Sequence, residues 1–289
     1  MGIYELWERT YDNLVVIAYH ASASDPFYTS ECAQRRSYYG NPGYPHMRID
    51  GILSVIGGQH YGNMYPSYRN HYNTRIQIES PLSIDLTLTY DPDSLKGTVY
   101  ANIKNTGTGT VSGNLHFILT ETDIPYSWQG QSMLYDVVRD MLPDANGENI
   151  SIASGDSTQK ERDFSMSGSW VNENCKIIVF VQNASREIYQ GAATAIVPET
   201  ELTYYGLTSS EATGNGNGVP EPGESFELTL SLKNMGTEEA TAISATLSTI
   251  DPYIIVDTPA QSFPDIPVGD DMYSSSPYDI AIDGGCPDH

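Results

Sequence analysis

Basic residues are scarce in this 289-residue chain: 14 Lys and Arg stand against 37 Asp and Glu, a formal net charge of −23. Nucleic acid and anionic lipid are held by clustered Lys and Arg, so the composition argues against both as partners. Long apolar runs are missing too. None approaches the roughly 18 residues that a membrane-spanning helix needs. The N-terminus has neither a basic start nor an apolar signal core, so a signal peptide would have to lie upstream of Met1. Cysteine is sparse and widely spaced. Cys32, Cys175 and Cys286 form no Cys-x-x-Cys, which excludes a zinc cluster or a redox dithiol within the chain, and their odd number leaves at least one thiol unpaired. Gly-x-Ser-x-Gly, His-Glu-x-x-His and phosphate-cradling Gly loops are also lacking, so hydrolase and kinase readings have no support. The sequence assigns no catalytic residue and leans away from an enzyme.

What is plentiful points to strands and turns: 25 Gly, 17 Pro and 21 Tyr, with 39% hydrophobic residues to supply two or three cores. An acidic, Lys-poor surface rich in Tyr, Asn, Gly and Thr suggests an exported bacterial protein, secreted or held at the outer membrane or cell surface. Along residues 1–78, helix and strand signals mix. Ile3, Leu6 and Trp7 share a helical face, Leu14–Tyr19 reads as a buried strand, and Ser30–Tyr39 as a helix capped by Ser30 or Thr29 and stopped at Gly40-Asn41-Pro42-Gly43. His46–Ile49 and Ile52–Ile56 flank an Asp50-Gly51 turn, and Tyr61–Ile78 reads as a helix interrupted at Pro66.

From Ser80 the apolar period shortens from 3.6 to 2. Ile84, Leu86, Leu88 and Tyr90, then Val99, Ala101 and Ile103, mark half-buried antiparallel strands. Leu115–Leu119, Arg162–Met166 and the very apolar Ile177–Val181 follow, and Val197–Thr200 reads as a linker. Beyond it Phe226, Leu228, Leu230 and Leu232 alternate with polar residues, followed by strands at Ile243–Leu247 and Ile254–Val256. Lys104-Asn105-Thr106-Gly107-Thr108 and Lys233-Asn234-Met235-Gly236-Thr237 echo one another. Asn-x-Gly after an alternating strand predicts the same positive-φ hairpin corner in both β-rich segments.

Val15-Val16-Ile17-Ala18-Tyr19-His20, Asp25-Pro26-Phe27-Tyr28, Gly43-Tyr44-Pro45 and Ile49-Asp50-Gly51 resemble the thioredoxin-like part of Omp28-related outer-membrane proteins. Asp123-Ile124-Pro125-Tyr126, Val137–Met141 and Cys175–Asn183 resemble that family's following β-domain, so the likeness covers roughly residues 1–196. Gly214–Gly218, Glu221-Pro222-Gly223-Glu224 and Leu232–Gly236 look like the cell-adhesion-related (CARDB) immunoglobulin-like module of secreted bacterial proteins. The resemblance implies α/β plus all-β architecture: a partial thioredoxin-like domain at 1–78, β-sandwiches at 79–197 and 198–283, and a tail at 284–289. In such a fold the dithiol would precede Ile3. The expectation is therefore either a fragment of a thiol–disulfide oxidoreductase, its Cys-x-x-Cys upstream of Met1, or a domain without its redox pair. The resemblance also implies a cis-proline at Pro45, with the Tyr44 backbone free to pair with an extended peptide.

Other candidates come from the residues themselves. Asn215, Asn217, Glu221 and Glu224 supply oxygens on a Gly-rich turn suited to a structural Ca²⁺, against a plain inter-strand loop. Cys32 near a helix start invites a nucleophile reading, against a core thiol, and Cys175 reads as a core thiol. His20, His46, His60 and His71 lack metal-site spacing, and Asp123, Asp136 and Asp140 read as solvated or capping carboxylates. The leading functional expectation is a non-catalytic surface protein whose β-modules act as spacers or as Tyr-rich adhesion faces for protein or glycan partners.

Overall fold

The computed structural model describes residues 2–10, 13–40, 43–58, 63–128, 131–197 and 200–287. The helix stop at Asn41 and Pro42, His60, the helix start at Tyr61, and Pro198 and Glu199 of the linker lie outside the described residues. The chain divides into two compact units, Met1–Ile196 and Val197–His289. Residues 1–78 and 79–196 thus belong to one unit.

In the first unit, α1 (Gly2–Thr10), α2 (Ser30–Tyr39), β1 (His46–Ile49), β2 (Leu53–Ile56) and α3 (Tyr65–Arg75) precede a long run of strands. These are β3 (Leu82–Asp91), β4 (Lys96–Asn105), β5 (Val111–Glu121), β6 (Ile124–Trp128), β7 (Gln131–Leu134) and β8 (Val137–Leu142). β9 (Glu148–Ile152), β10 (Ser157–Ser165), β11 (Cys175–Gln182) and β12 (Ile188–Ala195) complete it. Helix α2 forms where its caps allow: Thr29 Oγ1 accepts the Cys32 N–H, and Gly40 ends the helix at φ 64. Pro66 does not interrupt α3. It sits in the first turn, where its missing N–H costs nothing.

The core of the unit is an antiparallel sheet ordered β12-β11-β5-β8, with β9 also paired to β5. β11 and β5 lie inside it, which is why their sequences are apolar on both faces. One face carries Ile118, Val138, Met141, Ile178 and Phe180, and it packs against Cys32 of α2, Ala21 and the partly buried Ile17 and Tyr19. The opposite face meets the sheet β10-β4-β3. There Arg162 of β10 lies over the Phe117 ring at 5.4 Å and, with Lys160, pairs with Glu148 of β9. Burial of each such Leu, Ile, Val or Phe contributes about 1.5–3 kcal/mol.

The structure is 46% strand and 12% helix, and it overturns the α/β thioredoxin-like expectation: the fold is mainly all-β. β1 and β2 form only their own two-stranded hairpin. Leu14–Tyr19 is half-buried and makes a single parallel bridge, Ala18 to Val137, rather than a strand within a sheet. The physical reason is competition for apolar surface. Ile17 and Tyr19 cover the outer face of the β5–β11 sheet, so they are not available to line a parallel sheet of their own. The hairpin itself is tied down elsewhere. Arg75 reaches Asp50 and Glu187, each at 2.8 Å, and a Cβ on Gly51 would collide with the Arg186 carbonyl oxygen.

The second unit contains β13 (Leu202–Thr213), β14 (Ser225–Asn234), β15 (Ser244–Thr246), β16 (Ile254–Val256), β17 (Ala260–Ser262), β18 (Asp271–Tyr273) and β19 (Tyr278–Ile282). Its main sheet runs β13-β14-β19-β16, with β18 beside β14, while β15 and β17 pair separately. Ala240, Ile243, Phe263 and Ile266 form a small core with Leu230, Leu232, Ala245 and Met272. Strand β13 gives no alternating signal because nearly all of it is exposed, so a pattern of buried positions could not reveal it.

The repeated Asn-x-Gly corner is real but works differently from a hairpin. Gly107 and Gly236 do not have positive φ, and the strands that follow, β5 and β15, join different sheets from β4 and β14. The turn is set by the asparagine side chain: Asn105 Oδ1 accepts Gly107 N–H and Asn234 Oδ1 accepts Gly236 N–H, each at 2.9 Å.

Candidate functional site

The site with the least ordinary chemistry lies in the first unit, where α2 faces the ends of β5 and β11. Arg35, one turn after Cys32, is directed by the same helical face toward the sheet and is only 3% exposed. Its Nη2 donates to Gln182 Oε1 at 2.6 Å and to the Tyr39 hydroxyl at 3.0 Å. Gln182 Nε2 in turn donates to Tyr39 and to the Arg186 carbonyl. The guanidinium lies near the faces of Tyr38, Tyr39 and Phe180, at 4.8, 5.0 and 5.8 Å. Burial raises the Tyr19 hydroxyl pKa, opposed by the nearby Arg35.

His116 of β5 completes the group. It stacks on Phe180 with ring centroids 4.8 Å apart. Burial and then the Arg35 charge lower its pKa to about 3, so at neutral pH it is an uncharged imidazole. A cavity of about 370 Å³ adjoins these side chains and is walled by Asn114, Asn146, Asn149 and Asn183. The arrangement offers a fixed cation and several neutral donors, suited to binding rather than to proton transfer near neutral pH.

Tyr44 and Pro45 stand apart from that cavity's lining. The Tyr44–Pro45 peptide bond is cis, as is Leu142–Pro143. Tyr44 is exposed with Arg36 over its ring at 5.0 Å, and the Pro45 carbonyl accepts the Gly57 N–H. Cys32 and Cys175 are poorly placed to act as nucleophiles: Cys32 is completely buried and burial raises its pKa, while burial pushes Cys175 up to about 12. All three cysteines are free. His20 is held by Asp25 at 2.8 Å and His46 by Ser54 at 2.8 Å. Asp136 corrects the solvated-carboxylate expectation. It is buried, paired with Lys176 at 2.5 Å, and its pKa is raised by burial.

Asn215, Asn217, Glu221 and Glu224 do come together in the loop between β13 and β14, joined by Glu211. The buried Glu224 carboxylate accepts the N–H groups of Asn215 and Glu221, and Glu211 accepts those of Gly216 and Gly218. Asn215 and Asn217 Oδ1 accept the backbone amides two residues on, and Asn215 Nδ2 donates to Glu221 at 2.5 Å. The loop's own amides thus engage the oxygens that calcium would need. Among the described residues no group of three or more His, Cys, Asp or Glu is placed to hold a metal ion.

Sequence reasoning missed Arg35 and His116. Arg35 sits beside Arg36 in a helix of mostly polar residues, where either arginine reads as solvent-facing. His116 carried a usable sign, as a polar residue between Leu115 and Phe117 in an otherwise apolar run.

The model for the family described as outer membrane protein Omp28 matches residues 33–199, which include the whole of the Arg35 group apart from Tyr19. No curated protein matches the chain. Among solved structures, the Beta-D-glucoside glucohydrolase from Trichoderma reesei is 14% identical over 50% of this chain and 24% of that one, with a TM-score of 0.24. The beta-glucosidase from Listeria innocua in complex with glucose is 13% identical over 63% of this chain and 22% of that one, with a TM-score of 0.25. The chain spans under a quarter of the length of either protein, and likeness at that level carries no argument. Among the described residues no helix is long and apolar enough to cross a membrane.

Proposed function

The chain belongs to the Omp28 outer membrane protein family, and on that premise we propose that it is a non-catalytic, exported bacterial surface protein whose β-rich units act as spacers and as adhesion surfaces for a protein or glycan partner. One observation carries the reading. β13 is an edge strand of the second unit's main sheet, and it presents Tyr204 at 61% and Tyr205 at 57% exposure beside exposed Leu202 and Leu207. Tyrosine gives large contact area with a polar tip at little ordering cost, which supports reading this exposed edge as a binding surface. Lys233 Nζ lies 5.1 Å from the Tyr205 ring centroid and holds that ring in place. The burial of Cys32 and Cys175 supports a role without thiol chemistry.

The test is surface plasmon resonance of the purified chain over immobilised mucin glycoprotein, fibronectin and collagen. The expected result is saturable binding to at least one surface, weakened about tenfold or more when Tyr204→Ser and Tyr205→Ser are combined. No saturable binding to any surface, or binding indifferent to the double substitution in a folded protein, rejects the proposal.

A further inference from the structure

Strand β14 divides its backbone between two neighbours. On the side of β18, Asn234 N–H donates to the Asp270 carbonyl, Asn234 C=O accepts Gly269 N–H, and Leu230 C=O accepts Ser274 N–H; on the side of β13, Met235 N–H donates to the Glu201 carbonyl. Backbone groups alternate sides along an antiparallel strand, so Leu230, Leu232 and Asn234 all face β18. The residues opposite them in register, Leu207, Tyr204 and Leu202, therefore turn their N–H and C=O groups away from β14, and so does Ser209 opposite Leu228. β13 pairs with β14 alone, which leaves this side of it an open row of donors and acceptors.

Side chains and charge say what such an edge would accept. Cross-strand partners share one face of a sheet. Leu230 and Leu232 pack onto the core of Ala240, Ile243, Phe263 and Ile266, yet Leu207 and Tyr204 opposite them are 48% and 61% exposed. The apolar face thus runs one strand past the core beneath it. Proteins commonly block an open edge with Lys or Pro. Leu202–Ser210 contains neither, nor any charged residue, and is flanked by Glu201 and Glu211. Residues 197–289 carry 16 Asp and Glu, with Lys233 as their one Lys or Arg. A second copy or an acidic partner is repelled by that field, and a basic one is drawn in.

We propose that β13 takes up an extended, basic segment of a partner protein as a further strand. The segment's backbone bonds to Leu202, Tyr204, Leu207 and Ser209, its apolar side chains cover Tyr204 and Leu207, and its Lys or Arg residues lie beyond the two ends of the uncharged run, near Glu201 and Glu211. Register shifts at Tyr205 and Ala212 bound Gly206–Glu211, the regularly paired stretch on which the added strand aligns. The inference rests on the adhesive reading and narrows it: the partner is a protein, main-chain hydrogen bonds supply the affinity, and charge with alternate side chains supplies the selection.

Fluorescence anisotropy of the full chain with labelled synthetic peptides tests it. The probe is an uncharged run of Thr, Val and Tyr with Arg at both ends; the controls are the same run with Glu at both ends and the Arg-ended peptide N-methylated along the run. The expected result is saturable binding of the Arg-ended peptide, about tenfold or more tighter than either control, with the gap to the Glu-ended peptide closing as salt is added. Ser209→Pro removes an N–H that faces the added strand and leaves the ladder to β14 intact, so it should weaken binding about tenfold or more. Because proline can disturb a strand, Glu201→Lys, exposed and outside β13, is the second variant; it should weaken the Arg-ended peptide several-fold at low salt and not the Glu-ended one. The proposal is overturned if the Arg-ended peptide does not saturate, if either control binds as tightly, if Glu201→Lys keeps the parent affinity at low salt, or if sedimentation shows a dimer of the chain that Ser209→Pro dissolves. Peptide failure beside binding to a glycoprotein surface that depends on Tyr204 and Tyr205 overturns strand addition alone; loss of both removes the adhesive reading as well.

Discussion

The side-chain amide of Asn234 donates to the carbonyl oxygen of Ile266 at 3.0 Å, across 32 residues of chain, and Asn105 does the same to Ile152 at 2.8 Å. Both asparagines are fully buried, and each also donates to a carbonyl four residues on, Glu238 or Gly109. One side chain therefore turns the chain out of a strand and pins a distant segment beneath the turn. The two units use the same device.

Replacing either asparagine by alanine leaves buried carbonyls and one amide without partners, which is expected to cost about 2–3 kcal/mol. Asn105→Asp and Asn234→Asp should be worse, since the acceptor survives while a carboxylate is forced against two carbonyl oxygens. Urea denaturation of each variant checks the order. Equal stability of parent and alanine variants would show that the corner does not depend on the side chain.

His116 makes stability fall in acid. Its folded pKa is lowered from 6.5 to about 3 by burial and by Arg35, with Asp144 acting the other way. The unfolded chain takes up the proton first, so the contribution is complete above pH 6.5 and is lost toward pH 3, at up to about 1.4 kcal/mol per pH unit. The unfolding free energy of the parent, relative to His116→Phe, should therefore drop by about 3 kcal/mol between pH 6.5 and pH 4. A difference that stays constant over that range would place the imidazole in contact with solvent.

Thiol chemistry should be confined to one position. Cys32 and Cys175 are buried with raised pKa values, whereas Cys286 is partly exposed. Brief iodoacetamide treatment at about pH 8, where an ordinary thiol is partly ionised, should give a single adduct on the native protein, at Cys286. In denaturant all three free cysteines should react. Peptide mapping that finds native Cys32 modified would contradict the burial described.

Glu224→Ala removes the acceptor for the N–H groups of Asn215 and Glu221 and is expected to cost about 2 kcal/mol, read from urea denaturation. Melting in excess calcium and in chelator decides the calcium expectation for the same loop. An ion held by Asn215, Asn217, Glu221 and Glu224 must raise the melting temperature of the parent. An unchanged midpoint leaves the loop to its own hydrogen bonds.

The sequence by itself determined the local elements whose patterns depend on neighbours a few residues away. Alternation marked β3, β4 and β14, the continuous apolar run marked β11, and Thr29 with Gly40 bounded α2. Tertiary structure alone decided which surfaces those elements cover. It turned Ile17 and Tyr19 onto the β5–β11 sheet instead of into a sheet of their own, so the local strand pattern of Leu14–Tyr19 did not become an α/β fold. It also enclosed Arg35 between α2 and β11, although nothing near Arg35 in the chain distinguishes it from a solvent-facing residue. Periodicity records which side of an element is apolar, but the partner of that side is chosen by contacts between residues more than a hundred positions apart, and those leave no local trace.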